Sequence, residues 1–435
     1  MIESNRIFHN ARVGRAVLCA PLCETGGSRH SQRARECAPD LRVRRQFEAV
    51  IKSPQWSSPI QLAARVGCLR ACIALVFASV LSARAEPQPT LKDVYKGCFL
   101  IGAALNRAQI FEEDAKGAAI VKAQFNTITP ENILKWEAVH PRPDGYDFEA
   151  ADRYVAFGES NGMFIVGHNL VWHSQTPRWV FQDASGKPLD REALLARMRE
   201  HIHTVVGRYK GKIRGWDVVN EALNENGTLR RSPWLQSIGE DYLLKAYEFA
   251  HEADPDAELY YNDYGLENAA KRQGALALIR SLRSKGARIA GVGLQGHYKL
   301  ARPTEEEVEQ TIQAFEQLQV KVMITELDVS VLPTASQYQG ADVNANFEPS
   351  AKINPYTNGL PDSVQQQLAK RYASLFAVFL KHRDSVKRVT FWGVADGGSW
   401  LNDWPVRKRT DYPLLFDRNY VAKPAFEAVA KSVKQ

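Results

Sequence analysis

Cysteine is almost absent from most of this chain of 435 residues. Five of its six cysteines lie within the first 85 residues, and only Cys98 lies beyond them. A single thiol cannot form an internal disulfide, and no set of cysteines and histidines has the spacing of a zinc site. The sequence therefore indicates no disulfide-stabilised domain, and we expect no metal and no other cofactor.

An excess of charge of one sign is also missing from residue 86 onward. Residues 1–85 hold 13 Lys and Arg against 5 Asp and Glu, which leaves 43 basic against 44 acidic residues in 86–435. The net charge of +7 therefore belongs to the N-terminal segment. Because a nucleic-acid-binding domain presents a basic surface, the charge balance gives no argument for a nucleic-acid partner.

An apolar run long enough to cross a membrane as a helix, about 20 residues, is missing as well. The apolar run at residues 71–82 is shorter; it follows Arg65 and Arg70 and ends at Ala83-Arg84-Ala85. These features are typical of a secretory signal peptide cleaved after a small-x-small sequence, here after Ala85. A hydrophobic helix of the fold is the alternative, but the run shows no amphipathic period. We predict a secreted protein, periplasmic or extracellular, without membrane association after cleavage.

The segment before this run is longer than a signal peptide requires. Signal peptides begin close to the N-terminus, yet 64 residues precede Arg65, and they show no clear periodicity. We expect an over-extended reading frame whose true start lies near residue 62. The predicted organisation is a leader over residues 1–85 and one catalytic domain over residues 86–435.

From residue 86 onward, short apolar segments alternate with longer segments of helical spacing. Eight strand–helix units over about 350 residues are typical of a (β/α)8 TIM barrel in the α/β class. The first of the predicted helices covers Gln109–Lys122. A doubly wound open sheet is the alternative, but Gly97–Gly102 lacks the glycine-rich phosphate turn of that fold. We predict a single (β/α)8 barrel.

Two apolar segments end in carboxylates. Gly215–Ala222 reads Gly-Trp-Asp-Val-Val-Asn-Glu-Ala and delivers Glu221, while Val320–Val329 delivers Glu326 and, two residues later, Asp328. In a barrel the carboxyl ends of all strands meet on one face, where barrel enzymes build their sites. Two carboxyl groups at the ends of two strands are what hydrolysis of a glycosidic bond requires.

The surroundings of the two acids suggest different roles. His297 and Asp328 are placed to hold Glu326 in a hydrogen-bonded chain that keeps it ionised as a nucleophile. Glu221 has no basic neighbour in sequence, and aromatic surroundings would raise its pKa, as a general acid requires. Retention of configuration needs the carboxyl groups about 5–5.5 Å apart. The alternative is that Glu326 and Asp328 form a buried ion cluster that stabilises a loop.

Aromatic and amide side chains fall in the loops predicted at the same face. Sugars combine flat apolar faces with rims of hydroxyl groups, so their clefts combine aromatic platforms with polar donors. We expect Trp136 and Trp216 to serve core packing. The residues predicted at the mouth of the barrel are Trp172, Trp392, Trp400, Asn132, Lys135, Gln175 and Asn220.

Six motifs, in order, resemble the family 10 glycoside hydrolases, which are endo-β-1,4-xylanases. Together they cover essentially all of residues 90–430. They are Phe125-Asn126-x-Ile128-Thr129-Pro130-Glu131-Asn132-x-x-Lys135-Trp136, Gly167-His168-x-Leu170-Val171-Trp172-His173-Ser174-Gln175, Trp216-Asp217-Val218-Val219-Asn220-Glu221-Ala222, Gly293-Leu294-Gln295-x-His297, Ile324-Thr325-Glu326-Leu327-Asp328, and Trp392-Gly393-x-x-Asp396-x-x-Ser399-Trp400.

The resemblance implies a retaining hydrolase of xylan and xylo-oligosaccharides, and we expect a monomer. It implies Glu221 as acid/base and Glu326 as nucleophile, with His297 and Asp328 in support. Asn220 would bind the 2-hydroxyl of the sugar being cleaved, and Tyr264 is a candidate platform on the leaving-group side. Glu131, Asn132 and Lys135 would hold the next xylose, and the cleft would be lined by His168, Trp172, Gln175, Gln295, Trp392 and Trp400.

Three alternatives remain open from the sequence. A retaining β-1,4-glucanase or mannanase would share the fold and both acids, although Trp392 would crowd a hydroxymethyl group. A non-catalytic carbohydrate-binding barrel would be expected to have lost a carboxylate. A metal-dependent hydrolase would need more ligands than His168 and His173 provide. The long connection from Ser330 to Asp362 is expected to border the cleft and to affect specificity for branched xylan.

Overall fold

The structure, a computed structural model, describes residues 90–334 and 345–434. The predicted leader and residues 335–344 of the long connection lie outside the described residues. Within the described part, eight parallel strands close into a barrel, in which Leu100–Leu105 pairs with Val386–Phe391 and Gly291–Leu294 pairs with Lys321–Ser330. This confirms the predicted (β/α)8 fold. The strands are β1 Leu100–Leu105, β2 Thr127–Pro130, β3 Phe164–Val171, β4 Gly215–Asn220, β5 Glu258–Asp263, β6 Gly291–Leu294, β7 His297–Lys299, β8 Lys321–Ser330 and β9 Val386–Phe391.

The short strand β7 stands outside the ring of eight. It runs parallel to the carboxyl end of β8, with His297 opposite Asp328 and Lys299 opposite Ser330. This register follows from Gly296, whose φ of +85° turns the chain sharply after Gln295. The pairing brings His297 beside the carboxylates of Glu326 and Asp328 in β8.

The barrel strands are rich in apolar residues, and both of their faces are buried. Every residue of β4 is buried, as is every residue of β8 except the first. Continuous burial is typical of parallel strands that face side chains inside the barrel and helices outside it. The indole of Trp216 packs against Gly167, where a Cβ atom would lie 2.1 Å from the ring. Only glycine fits beside Trp216 at that position.

Helices follow the strands of the barrel. They are α1 Leu91–Val94, α2 Arg107–Ile110, α3 Ala115–Gln124, α4 Trp136–Val139, α5 Glu149–Ser160, α6 Arg191–Arg208, α7 Pro233–Ile238, α8 Tyr242–Ala253, α9 Ala269–Ser284, α10 Glu305–Glu316, α11 Asp362–Lys381 and α12 Pro424–Lys431. No helix within the described ranges is both long enough and apolar enough to span a bilayer.

The prediction of one helix over Gln109–Lys122 was wrong. The segment forms α2 and α3, because each has its own N-terminal cap. Asn106 accepts a hydrogen bond from the backbone of Gln109 in a capping box, and Asp114 accepts one from the backbone of Gly117. A side chain that caps a new helix at Asp114 ends the preceding one.

Candidate active site

One cavity of about 700 Å³ opens at the carboxyl ends of the strands. All fifteen residues predicted for the site line it, although they come from seven of the eight barrel strands or their following loops and from β7. They are Glu131, Asn132, Lys135, His168, Trp172, Gln175, Asn220, Glu221, Tyr264, Gln295, His297, Glu326, Asp328, Trp392 and Trp400. The fold therefore brings the predicted set together.

Glu326 lies in the carboxyl half of β8, between two donors. Asn262 donates from Nδ2 to Oε1 over 2.7 Å, and His297 Nε2 lies 3.3 Å from Oε2. The other ring nitrogen of His297, Nδ1, is 3.0 Å from Asp328 Oδ2. Trp400 donates from Nε1 to the same Asp328 oxygen over 2.8 Å. A chain of hydrogen bonds thus joins Trp400, Asp328, His297 and Glu326.

This chain of hydrogen bonds determines the charge of the Glu326 carboxylate. Burial alone would lower the pKa of His297, but the charges of Asp328 and Glu326 outweigh it and raise that pKa to about 10. His297 is therefore a cation that donates to both carboxylates at neutral pH. Burial alone would raise the pKa of Glu326, but the hydrogen bond from His297 and nearby positive charge keep it below the ordinary 4.5. Glu326 is held ionised.

Glu221, just after β4, has the opposite electrostatics. Its Oε2 accepts a hydrogen bond of 3.0 Å from Trp172 Nε1, and its Oε1 accepts one of 3.0 Å from Gln295 Nε2. Burial raises the pKa of Glu221 above 4.5, and the negative charges of Asp263 and Glu326 raise it further. Two carboxyl groups facing one cavity therefore have pKa values displaced in opposite directions, which is how acid and base roles are divided in such sites.

The backbone at Glu221 departs from the strand. Its φ is +57°, in the left-handed region that residues other than glycine rarely adopt. Its N–H donates to the carbonyl of Asn262 over 2.9 Å, and its carbonyl accepts from Arg230 Nε over 3.1 Å. These two bonds hold the turn that directs the carboxyl group into the cavity. Such strain is commonly found at functional sites.

Asn262 belongs to the site, although no role was predicted for it. Besides its bond to Glu326, its Nδ2 lies 2.8 Å from Asn220 Oδ1, and its own Oδ1 accepts from Thr325 Oγ1 over 2.7 Å. Its position at the end of β5 is the sequence feature that could have identified it as a site residue. Asn262 connects the ends of β4, β5 and β8 and orients both Asn220 and Glu326.

At one end of the cavity, Lys135 joins the amide side chains. Its ammonium donates to Asn132 Oδ1 over 2.8 Å and to Gln175 Oε1 over 2.7 Å, and it lies 4.9 Å from the centre of the Trp172 ring. Burial lowers the pKa of Lys135, although the charges of nearby glutamates oppose this shift. Burial likewise raises the pKa of Glu131. This end offers oriented donors and acceptors to a polar ligand.

The floor of the cavity between the two ends is aromatic. His168 Nδ1 lies 2.9 Å from Asp217 Oδ2, and the edge of its ring meets Trp392 at 5.5 Å between centres. The fixed ring positions give a rigid apolar wall beside the two acids. Trp136 and Trp216, by contrast, are buried in the core, as predicted.

Tyr264 lines the other end of the cavity. Its hydroxyl accepts from Arg230 Nη2 over 2.9 Å, and Lys271 Nζ lies 3.2 Å from the ring centre. Lys271 also forms a buried ion pair of 2.9 Å with Asp263. Sequence reasoning missed this support, because Lys271 reaches the site from the helix α9 and carries no motif signal.

Two buried carboxyl groups of opposed pKa, flanked by aromatic walls and amide donors, define a glycoside hydrolase built on a (β/α)8 barrel. Residues 90–432 match the model of the family described as Glycosyl hydrolase family 10, and the chain belongs to that family. In the described ranges, no group of three or more His, Cys, Asp or Glu residues is placed to hold a metal ion.

Curated relatives and solved structures agree with this assignment. The chain is 47% identical over 360 residues to endo-1,4-beta-xylanase A of Xylanibacter ruminicola, covering 83% of this chain and 97% of the relative. It is 46% identical over 345 residues to beta-1,4-xylanase of Dictyoglomus thermophilum, covering 79% and 91%. A solved family 10 endoxylanase from a sugarcane soil metagenome superposes with a TM-score of 0.75 at 45% identity, covering 79% of this chain and 99% of that one.

Proposed function

We propose that this chain is an endo-1,4-β-xylanase that hydrolyses xylan with retention of configuration. The observation that carries the proposal is the pair Glu221 and Glu326, which face one cavity with pKa values shifted up and down respectively. Membership of family 10 and the xylanase names of its relatives supply the substrate. We likewise propose the roles of the individual residues.

In the first step, Glu326 attacks the anomeric carbon, and Glu221 gives its proton to the departing glycosidic oxygen. The bond between Glu326 and the sugar forms as the glycosidic bond breaks. The raised pKa of Glu221 keeps a proton available, while the cationic His297 keeps Glu326 ionised. Trp172 and Gln295 hold the Glu221 carboxyl group in position and stabilise the carboxylate that forms.

In the second step, Glu221 removes a proton from water, which attacks the anomeric carbon and releases Glu326. The hydrogen bonds from Asn262 and His297 stabilise the departing carboxylate of Glu326. Asn220 is oriented by Asn262 and is assigned to the 2-hydroxyl of the sugar that is cleaved. Two inversions at one carbon give a product with the original configuration.

The two ends of the cavity are assigned to sugars on either side of the scissile bond. Lys135, with its partners Asn132 and Gln175, would bind hydroxyl groups of the preceding xylose. The ring of Tyr264 would support a sugar on the leaving-group side. Because sugars are bound on both sides of the acids, cleavage within a chain is favoured over removal of terminal units.

Release of reducing ends from xylan, carboxymethyl-cellulose and mannan tests the proposal. We expect release from xylan, with little from the other two, and loss of release in Glu326→Ala. Equal or greater release from the glucan or mannan would overturn the xylan assignment and leave the two-acid mechanism. No release from any substrate would favour a non-catalytic carbohydrate-binding barrel.

A second test separates the two acids. Glu221→Gln should slow hydrolysis of xylan by roughly 10²–10⁴-fold, the usual size of a general-acid contribution. An aryl xylobioside with a strongly acidic phenol needs no proton donor, so its first step should be nearly unaffected in this variant. Glu326→Gln should lose activity on both substrates. The reverse pattern would exchange the two roles.

We also propose that the protein is secreted and acts as a monomer. The support for secretion is the apolar run at residues 71–82 followed by Ala83-Arg84-Ala85. Expression with the native leader should give an exported protein whose N-terminus is Glu86. An N-terminus elsewhere, or retention in the cytoplasm, would contradict this. Light scattering of the purified protein should give the mass of one chain.

A further inference from the structure

The cavity extends past Glu326 along β7 and β8 into a second, basic compartment. Its walls include Lys299 at the end of β7, Ser330 opposite it at the end of β8, Thr334, and Arg409. None of these residues belongs to the set predicted for the reaction. We call the side chains of Lys299 and Arg409, with Ser330 and Thr334, the basic pocket.

The two cations of the basic pocket are held by neutral acceptors. Lys299 Nζ donates to Ser330 Oγ over 3.0 Å and lies 3.4 Å from the carbonyl oxygen of Leu332. Arg409 Nη1 donates to the carbonyl of Pro333 over 3.2 Å, while its Nε is buried without a hydrogen-bond partner. Arg409 is only 4% exposed. Among residues 90–334 and 345–434, no carboxylate lies within 4.0 Å of either cation.

The nearest acids are committed elsewhere. Asp411 accepts the hydroxyl of Ser330 over 2.5 Å and the backbone N–H groups of Val331 and Tyr412. Asp328 accepts from His297 and Trp400. Burial lowers the pKa of Lys299 and of Arg409. The negative charge of Asp411 opposes both shifts in part, while the charge of Arg409 lowers the pKa of Lys299 further. The compartment therefore holds two poorly solvated positive charges that repel each other.

Such an arrangement is costly for the free protein, because buried cations normally pair with carboxylates. The backbone of xylan is neutral and offers no charge to compensate them. Two cations lining a carbohydrate cleft beside neutral acceptors match the carboxylate of an acidic sugar, which arginine and lysine bind by charge-assisted hydrogen bonds.

We infer that the basic pocket binds the carboxylate of a uronic acid branch on the xylan chain, so that Lys299 and Arg409 determine a preference for acidic over neutral decoration. The inference rests on the proposed xylanase function and names the class of decorated substrate. It assigns the two cations to specificity and leaves bond cleavage to Glu221 and Glu326.

The test compares two forms of one substrate. A xylo-oligosaccharide with a single glucuronic acid branch is used as such and after reduction of its carboxyl group to a hydroxymethyl group. Both forms have the same backbone and nearly the same branch volume, so the ratio of their kcat/KM values reports the charge alone. An unbranched xylo-oligosaccharide serves as the reference for hydrolysis of the undecorated backbone.

Four variants accompany the wild type. Lys299→Met and Arg409→Gln each remove one cation, and Lys299→Arg keeps the charge. Arg407→Gln is the matched control, because Arg407 lies in the same loop as Arg409 and is exposed. Thermal unfolding of each variant shows that it folds before its kinetics are compared.

The wild type should prefer the acidic form, and Lys299→Met should lower that preference about tenfold, the size of a charge-assisted hydrogen bond. Arg409→Gln should act in the same direction, while Lys299→Arg and Arg407→Gln should keep the preference. A wild-type ratio of one, or an equal loss in Arg407→Gln, would overturn the inference. If no substrate is cleaved, the xylanase proposal fails, and calorimetric binding of the two forms to Glu326→Ala still decides the inference.

Discussion

Asn262 donates a hydrogen bond of 2.7 Å to Oε1 of Glu326, from the end of one barrel strand to the end of another. The donor makes the ionised carboxylate more stable than the protonated one, and it helps to keep the pKa of Glu326 low. Because the same amide group also orients Asn220, one residue positions the nucleophile and the group assigned to the 2-hydroxyl.

Replacing Asn262 by aspartate should therefore move the acid limb of the pH profile. Asn262→Asp removes the donor and places a negative charge beside Glu326, so the pKa of Glu326 rises. Because the nucleophile must be ionised, kcat/KM will begin to fall at a higher pH than in the wild type. At the optimum, activity should drop about 10- to 100-fold, as expected for a hydrogen bond to a charged group.

Asn262→Ala is the control for charge, since it removes the donor and adds nothing. Its acid limb should move less than that of Asn262→Asp. Profiles of kcat/KM from pH 3 to 9 on a soluble xylo-oligosaccharide make the comparison. Superimposable acid limbs in wild type and Asn262→Asp would contradict the assignment of this contact.

The alkaline limb should report Glu221. Trp172 Nε1 donates to the Glu221 carboxylate and opposes the rise in its pKa that burial causes. Trp172→Phe keeps an aromatic ring and removes the donor, so the pKa of Glu221 should rise further. Because Glu221 must be protonated in the first step, the alkaline limb should move to higher pH. A shift to lower pH in this variant would show that another group controls that limb.

The buried ion pair beneath Tyr264 should be important for stability. Lys271 and Asp263 have side chains that are 1% and 0% exposed and lie 2.9 Å apart. Lys271→Met leaves an uncompensated buried carboxylate, which should lower the free energy of unfolding by roughly 3–5 kcal/mol. Urea denaturation of the purified protein provides the measurement.

The double variant Lys271→Met/Asp263→Asn tests the cause of that loss. It removes both charges and keeps an amide whose oxygen can accept from the Tyr264 backbone and whose NH2 group can donate to the Tyr261 hydroxyl oxygen. Much of the lost stability should return. A double variant less stable than Lys271→Met would show that the pair does not act through charge compensation.

The fold and most of the residues that line the cavity were predictable because one sequence pattern indicates both. Apolar segments that end in polar residues mark parallel strands and also mark what those strands deliver at their carboxyl ends. The sequence thus identified Glu221 and Glu326, and the motif residues around them, without any distances. The same pattern is local, so it identified residues by their position at a strand end and not by their partners.

The remaining features depend on contacts between distant segments. Trp172 was expected as a sugar platform, yet it also donates to Glu221, 49 residues later in the chain. The left-handed backbone of Glu221 is held by Asn262 and Arg230, and neither contact leaves a trace in local sequence. The break between α2 and α3 was missed because Asp114 also fits a helix surface. Tertiary contacts, which the local sequence does not show, determine each of these three features.

Trapping of the covalent intermediate tests the central claim most directly. A 2-deoxy-2-fluoro-xylobioside with a good leaving group should label the protein once, because fluorine slows the second step more than the activated first step. Mass spectrometry of the digested protein should place the sugar on the peptide that contains Glu326, and Glu326→Ala should remain unlabelled. An adduct on another residue, or no adduct with hydrolysis that inverts the anomeric configuration, would contradict the account.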